Sequence, residues 1–571
     1  MPHLPRALYT PEQVRELDRL AIESGGIPGE RLMERAGQRA YALIRARWPS
    51  ARRLRIFCGG GNNGGDGYIV ARLAATAGLD VEVYCLCPPE QLRGDAARAA
   101  KRYLETGAPC YPFVASAPPP PSAESAAHGS LQVPMREGTV FIDALLGTGL
   151  DRPVSGDYAA AIAAMNADSA PVLAIDIPSG LHGRTGAVLG CAVQADATAT
   201  FVGLKSGLLT GRGPALCGQL FFDDLGTATL LATLLEDRAE PLEPYAERID
   251  AAILQQTLRR RPRDAHKGLY GHVLIVGGGA GMAGAARLAG EAALRSGAGL
   301  VSVATRPEHV AAIVTARPEL MVHGITQPAE LTPLLERCSV LVLGPGLGTD
   351  AWGEALWLAC REWCRDWPGP TVIDADGLNL LARYGDLASY DHSKPSQSSE
   401  SSESSGDHSR NRRDDNEGLS IPTAGLQHAT ILTPHPGEAA RLLATDTATI
   451  NADRFAAARA LQQRAGPSGV AILKGAGTLV EDGQRCALSD TGNPGMASAG
   501  MGDLLSGILG GLLAQGLSPA AAARCAVYLH GCAGDRAAAK HGERGLLASD
   551  LFDALGRLID GRPRPPKPFT L

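Results

Sequence analysis

The 571-residue chain reads as an α/β protein of two domains, each built on a largely parallel sheet with helices on both faces. Three observations predict this. Short apolar runs alternate with helical stretches along most of the sequence. The 69 glycines cluster after those runs, where strand-to-helix turns need them. The series closes at Phe221–Gly226 and restarts at His272, with a helical, charged connector between. A boundary near residue 235 follows, giving domains 1–235 and 236–571. No short internal repeat is present, so the halves are different domains and not a solenoid.

In the first half, Leu54–Cys58 is the leading strand, it stops at glycines, and Gly67–Ala77 is the helix after them. Val81–Cys85, Val140–Asp143 and Val172–Asp176 are further short strands. In the second half the strands are His272–Val276, Leu300–Ala304, Val340–Leu343, Thr371–Asp374, Thr430–Leu432 and Val470–Leu473. Leu504–Leu517 is apolar but short and glycine-rich, which suits a buried helix and not a membrane span. Ala115–Gln132, with its four consecutive prolines, and the polar run Asp391–Gly418 hold too little apolar surface to offset ordering entropy. Both are expected to be flexible insertions.

Composition narrows the function classes. A net charge of −6 without a Lys/Arg block argues against nucleic acid or an anionic membrane as main partner. The 12 cysteines are scattered with no Cys-x-x-Cys pair, as in a reducing compartment. The N-terminus lacks a basic segment followed by an apolar run, so the expected location is the cytoplasm. A homo-oligomer acting on small molecules is expected.

Gly59–Gly67 follows a strand and consists only of Gly, Asn and Asp, more than a plain turn requires. Such a loop lets a backbone approach a phosphate at a helix start. Asp143–Leu150 and Asp176–Leu181 also follow strands, where open α/β sheets form their ligand crevice. Asp176 precedes Ile-Pro, which does not start a helix, so a capping role explains it poorly.

In the second half, Gly279, Gly281 and Gly284 fit Gly-x-Gly-x-x-Gly, yet the next strand ends in Thr305-Arg306-Pro307 with no acid for a ribose. Hydride transfer is therefore disfavoured. Leu343–Gly348, Asp374–Asn379 and Thr433–Glu438 end three strands, and two prolines fix the backbone around His435. Leu473–Thr478 offers a lysine and amides to phosphate but lacks the ending of a Walker loop. Asn493–Asp503 runs into a helix whose free amides suit a transferring phosphoryl group. Asp503 stands in that first turn, where it also complements the helix dipole.

These motifs carry a resemblance. Asn62–Gly67, Asp143–Leu150 and Asp176–Gly180 resemble the signature loops of the NAD(P)H-hydrate epimerases, over most of residues 8–226. The resemblance implies a Rossmann-like three-layer α/β/α domain. It implies that Asn62, Asn63, Gly64, Gly65, Asp66, the loop Gly147, Thr148, Gly149, Leu150, Asp151, Arg152 and Pro153, and then Tyr158 and Asp176, contact the hydrated dinucleotide. It further implies that Asn63, Asp143 and Ser179 hold K⁺, and Asp176 becomes the leading acid/base group.

His266–Gly268, Gly277–Gly284, Gly344–Gly348, Thr433–Glu438, Lys474–Thr478 and Asn493–Asp503 resemble the ribokinase-like fold and, more narrowly, the ADP- or ATP-dependent NAD(P)H-hydrate dehydratases, over about residues 250–560. That resemblance implies that Ala285, Gly346, His435 and Asp503 meet the hydrate. It implies that Lys474, Gly475, Ala476, Gly477 and Thr478, with Asn493, Pro494, Gly495, Met496, Ala497, Ser498, Ala499, Gly500, Met501 and Gly502, hold the nucleotide with Mg²⁺. ADP is the expected phosphoryl donor and Asp503 the expected base. The rival reading is a ribokinase-like kinase for a vitamin precursor, fused to a non-catalytic binding module.

Overall fold

The computed structural model describes residues 4–115, 138–236, 238, 240–385 and 429–560. The insertion 391–418 and all of 115–132 except Ala115 lie outside the described residues.

The first half builds a seven-stranded, wholly parallel sheet. After β1 (Ala7–Tyr9) come β2 (Arg53–Cys58), β3 (Asp80–Cys85), β4 (Cys110–Pro112), β5 (Thr139–Ala144), β6 (Val172–Ile175), β7 (Ala197–Phe201), β8 (Leu204–Lys205) and β9 (Gln219–Asp223). The sheet order is β4-β3-β2-β5-β6-β7-β9, so the strand order reverses between β2 and β5. A crevice opens beyond the carboxyl ends of strands at such a reversal. The turns after Cys58 and Ala144 meet there.

The second half continues with β10 (Ala246–Arg248), β11 (His272–Val276), β12 (Leu300–Thr305), β13 (Met321–Gly324), β14 (Val340–Leu343), β15 (Thr371–Ile373), β16 (Thr430–Leu432), β17 (Val470–Leu473), β18 (Thr478–Glu481) and β19 (Cys486–Ser489). Its sheet runs β13-β12-β11-β14-β15-β16-β17-β18-β19-β10-β1-β8. The strands from β13 to β17 in that order are parallel, and the reversal lies between β11 and β14. The α/β expectation holds in both halves. The connector expected to be helical is only partly so: after the helix Ala228–Glu236 it enters the sheet as β10.

Two strands from the N-terminal side of residue 235 belong to this larger sheet. β1 pairs antiparallel with β10, and β8 pairs parallel with β1, Tyr9 standing opposite Lys205. The two halves are thus joined by backbone ladders and not only by the linking chain.

Two differences from the sequence reading have steric causes. The first helix after β2 spans Asn62–Thr76, beginning five residues before the expected Gly67, so only Gly59–Gly61 form a turn. The remaining glycines serve packing. A Cβ on Gly64 would overlap the carbonyl oxygen of Gly59, one on Gly65 would sit 2.7 Å from Met33 Sδ, and one on Gly67 would sit 2.6 Å from Ala144 Cβ. The late apolar stretch is the helix Met501–Ala514. Its glycines seat it tightly: Gly507 lies against the Ala289 carbonyl and Gly511 against Ser296, both on the helix Ala283–Ser296, while Gly510 meets Val342 and Val273. That contact fixes where the helix begins, and hence where Asp503 stands.

The turn after β14 is equally intolerant. Gly344 has φ +123°, and a Cβ there would overlap the Asp374 carbonyl. Gly344→Ala is expected to cost roughly 3 kcal/mol from strain and overlap combined. Denaturant unfolding checks this; an unchanged midpoint would contradict the packing account.

Candidate active sites

At the end of β5, Asp143 is fully buried and bound from three sides. Its Oδ2 accepts from Ser179 N–H (2.7 Å), and its Oδ1 accepts from Ser179 Oγ–H (2.6 Å) and Leu145 N–H (3.2 Å). Ser179 Oγ in turn accepts from Leu146 N–H (2.9 Å). The turns after β5 and β6 are therefore one hydrogen-bonded unit. Burial raises the Asp143 carboxyl to about 6, against these bonds.

Asp176, at the end of β6, adopts φ +67°, and Ile177 N–H closes a tight turn onto Ile175 C=O (2.8 Å). A non-glycine residue held there is strained by about 1–3 kcal/mol. Its Oδ1 pairs with Lys205, whose buried Nζ also donates to Thr200 Oγ1 (3.1 Å) and the Phe201 carbonyl (3.0 Å). Its Oδ2 faces the Gly147 turn. From the place a Gly147 Cβ would take, Asp176 Oδ2 is 3.6 Å away and Asn63 Cβ 3.4 Å. Asn63 is buried, and neither amide atom has a hydrogen-bond partner among the described residues. A buried amide with both ends unmet marks a place for ligand or cation.

Other expected residues gather here. Tyr158, from the helix Gly156–Ala167, brings its phenol to the backbone N–H of Gly60, and burial raises that phenol. Asn62 is exposed at the helix start, followed by the buried Gly64 and Gly65. Thr148 offers its carbonyl to Arg15, Gly149 is exposed and Leu150 half-buried. Asp151, Arg152 and Pro153 are exposed at the far end of the loop.

Lys205 and Asp18 were not singled out from sequence. Lys205 sits in Leu204-Lys205-Ser206-Gly207, which reads as ordinary, and only the fold turns it toward Asp176. Burial lifts Asp18 to about 6 and pushes Asp66 well up, with Asp176 adding to both. Two carboxyls raised above their ordinary range thus lie beside Asp176.

In the second half the site forms where β11, β14, β15, β16 and β17 end. Asp374, fully buried, accepts from Lys474 Nζ (2.8 Å), Thr433 Oγ1 (2.7 Å) and Ser506 Oγ (2.6 Å). Lys474 Nζ also lies 3.8 Å from Glu438 Oε2. Despite burial, the lysine beside it holds the Asp374 carboxyl below its ordinary range. A Cβ on Gly502 would lie 3.3 Å from Lys474 Nζ and 3.5 Å from Asp374 Oδ2, so the helix start and the lysine loop touch. Next to Gly502, Asp503 is raised to about 6, by burial first and then by Asp374.

His435 is exposed and caps the helix Pro436–Leu442. Its Nδ1 accepts from Gly437 N–H (2.9 Å) and Glu438 N–H (3.3 Å), which puts the neutral ring's proton on Nε2. Burial and the nearby Lys474 keep its pKa below the ordinary value, while burial raises Glu438 to about 7. Gly346 and Ala285 adjoin: a Cβ on Gly346 would sit 2.9 Å from that of Ala285. The Gly277–Gly279 turn packs on the Pro345–Leu347 turn, with Gly279 N–H bonded to Gly346 C=O (2.6 Å). Gly277, Gly278 and Gly279 answer a packing need, whereas a Cβ on Gly281 or Gly284 would meet nothing within 4 Å.

Gly475, Ala476, Ala497, Ser498 and Ala499 are exposed, Thr478 half-buried and Gly477 buried. Asn493 caps the short turn Pro494–Met496 through Gly495 N–H (3.0 Å) and donates to Asp535 (3.0 Å). Gly500 turns left-handed (φ +89°) into the helix at Met501. Among the described residues no group of three or more His, Cys, Asp or Glu is arranged to hold a metal ion. No helix of the described residues is long and apolar enough to cross a membrane.

Two clusters of buried acids with a partner lysine, each at the carboxyl ends of the strands of an α/β sheet, make two candidate active sites on one chain, the class of a two-site α/β enzyme. Residues 29–207 match the family described as YjeF-related protein N-terminus, and residues 273–396 and 411–557 match NAD(P)H-hydrate dehydratase. The chain is 44% identical to the bifunctional NAD(P)H-hydrate repair enzyme of Coxiella burnetii, over 97% of this chain and 99% of that one. Identity to the Escherichia coli bifunctional NAD(P)H-hydrate repair enzyme is 40%, over 98% and 95%. A solved structure of ADP/ATP-dependent NAD(P)H-hydrate dehydratase from Bacillus subtilis, co-crystallised with ATP/Mg²⁺, is 26% identical with a TM-score of 0.43, covering 55% of this chain and 98% of that one. The chain belongs to the family of bifunctional NAD(P)H-hydrate repair enzymes.

The raised Asp503 has a stability consequence. Its folded pKa of about 6 lies above the ordinary 3.8, so the native state binds more protons between those values. Stability from this group is greatest below the lower value and is lost as pH rises through about 6. Asp503→Asn removes the penalty, so its Tm should exceed the wild type's at pH 8 by about 2 °C or more. At pH 5 the gap should shrink; an equal gap at both would contradict the burial account.

Proposed function

We propose that the two halves, divided near residue 235, repair hydrated NADH and NADPH in sequence: the first interconverts the R and S epimers, and the second dehydrates the S form with ADP. Family membership supports the pair of activities. The observation that carries the chemical reading is Asp503, a carboxyl raised by burial at a helix start, beside the Lys474–Asp374 pair.

In the first site, Asp176 presents Oδ2 to the hydrate while Lys205 holds Oδ1. A carboxylate so fixed can take and return the proton that must move at the carbon bearing the added hydroxyl. Asn63, with Asp143 and Ser179, would hold K⁺. The unmet Asn63 carbonyl oxygen suits a hard cation, which would neutralise phosphate charge nearby. The residues from Asn62 to Asp66, Gly147 to Pro153, and Tyr158 would line the dinucleotide.

In the second site, Lys474–Thr478 and Asn493–Gly502 would cradle the nucleotide, and Ala285, Gly346 and His435 would meet the hydrate. Asp503 accepts the hydroxyl proton as that oxygen bonds to the β-phosphorus of ADP and the bond to the departing AMP breaks. Lys474 and the amides at Met501–Asp503 stabilise the charge that develops. Phosphate then leaves with its carbon–oxygen bonding pair, and loss of a ring proton restores the nicotinamide double bond. Mg²⁺ would be held with the nucleotide phosphates beside these loops, supplying positive charge with few protein ligands, as is usual for this ion. All twelve cysteines are free, which supports a cytoplasmic setting.

Recovery of reduced-cofactor absorbance from S-hydrate with ADP and Mg²⁺ tests the second site. Asp503→Ala should lower the rate by at least about 10²-fold, and the wild-type rate should fall as pH drops through about 6. Conversion by the variant at an unchanged rate would sink the assignment. For the first site, Lys205→Met should slow epimer exchange about 10-fold or more without changing S-hydrate dehydration; equal slowing of both activities would count against it.

A further inference from the structure

The nucleotide loop of the second site is held from behind by the first half of the chain. Arg454, only 2% exposed, opens the helix Arg454–Ala465 and lies beneath Lys474–Thr478. Its Nη2 donates to the carbonyls of Leu473 (3.2 Å), Lys474 (3.2 Å) and Gly477 (3.4 Å), and its Nε donates to Thr210 Oγ1 (3.1 Å). The Thr210 hydroxyl is itself within reach of the Gly477 (3.3 Å) and Ala476 (3.4 Å) carbonyls. A Cβ on Gly477, at φ +66°, would overlap the Leu209 carbonyl. The helix is anchored from the same side, since its capping residue Asp453 pairs with Arg184 (2.7 Å). Leu209, Thr210 and Arg184 all belong to the epimerase half.

The direction of these bonds matters. In a planar trans peptide, C=O and the following N–H point opposite ways. Drawing the carbonyls of Lys474, Ala476 and Gly477 inward turns the N–H groups of Gly475, Gly477 and Thr478 outward, the arrangement that cradles phosphate. Among the described residues no carboxylate pairs with the Arg454 guanidinium, and burial alone lowers its pKa to about 10, so it remains charged at neutral pH. A fixed positive charge therefore stands behind a loop that faces an anion.

We propose that Arg454 and Thr210 are positioning residues for the nucleotide loop, so that the epimerase half supplies part of the dehydratase's phosphate-binding geometry. The proposal rests on the reading of Lys474–Thr478 as the nucleotide loop. The same segment carries Lys205 five positions before Thr210, so one short stretch steadies the acid of the first site and the phosphate loop of the second.

The full-length chain tests it, by calorimetric binding of ADP with Mg²⁺ and by kinetics of S-hydrate dehydration. Thr210→Val keeps shape but removes the hydroxyl. It should raise the Kd and KM for ADP about 5- to 10-fold, with kcat within about 3-fold. Arg454→Met should raise them more, and Arg454→Lys should recover part of the loss. Epimer exchange, measured on the same samples, should stay within about 2-fold and reports that the chain is folded. If Arg454→Met does not fold, Thr210→Val alone decides. Wild-type protein that does not bind ADP overturns the nucleotide reading itself; wild type that binds, with Thr210→Val binding equally well, overturns only this inference.

Discussion

One buried carboxylate organises the second half of the molecule. Asp374 collects hydrogens from Lys474 at the end of β17, Thr433 at the end of β16 and Ser506 in the helix that carries Asp503. Four elements are therefore registered on a single fully buried group. Removing one partner from such a pair costs about 3–5 kcal/mol, because the other charge stays buried and unmatched. Lys474 and the start of the helix that carries Asp503 are fixed relative to each other through it. A Cβ at 502 would lie 3.3 Å from Lys474 Nζ and 3.5 Å from Asp374 Oδ2, which leaves little room for a larger residue there.

The first half applies the same principle with the sign of the exposed group reversed. There the lysine is buried and the acid faces the crevice: Lys205 holds one oxygen of Asp176 and leaves the other beside Asn63. The left-handed backbone at Asp176 is a strain that the Lys205 pair and the flanking turn sustain. β8, which carries Lys205, leaves the first half's sheet and joins the larger one through β1 and β10. Asp176 and Asp503 thus stand on parts of one connected framework.

Much of this was legible in sequence because strand ends write themselves plainly. Apolar runs followed by Gly, Asp or Pro located the central strands; Asp143, Asp176, His435 and Lys474 fall at or just past such ends, and Asp503 stands at a helix start. What stayed hidden depends on contacts far apart in the chain. Lys205 and Thr210 lie in an unremarked turn, and Arg454 opens an ordinary-looking helix. Short strands such as β1, β8 and β10 have too few residues for a period to show. Glycines also answer a need that sequence does not show: at Gly64, Gly65 and Gly277–Gly279 backbone or side chain lies where a Cβ would be.

In the proposed repair, two separate acids on one chain, Asp176 and Asp503, act in turn on the two epimers of one damaged cofactor. A mixture of R and S hydrates, incubated with ADP, Mg²⁺ and K⁺ and followed to its absorbance endpoint, tests it most directly. The account predicts that wild-type protein restores both epimers to reduced cofactor, whereas Asp176→Ala runs fast until the S form is exhausted and then slows to the rate of spontaneous epimerisation. Consumption of both epimers by Asp176→Ala in a single phase at the wild-type rate would contradict it.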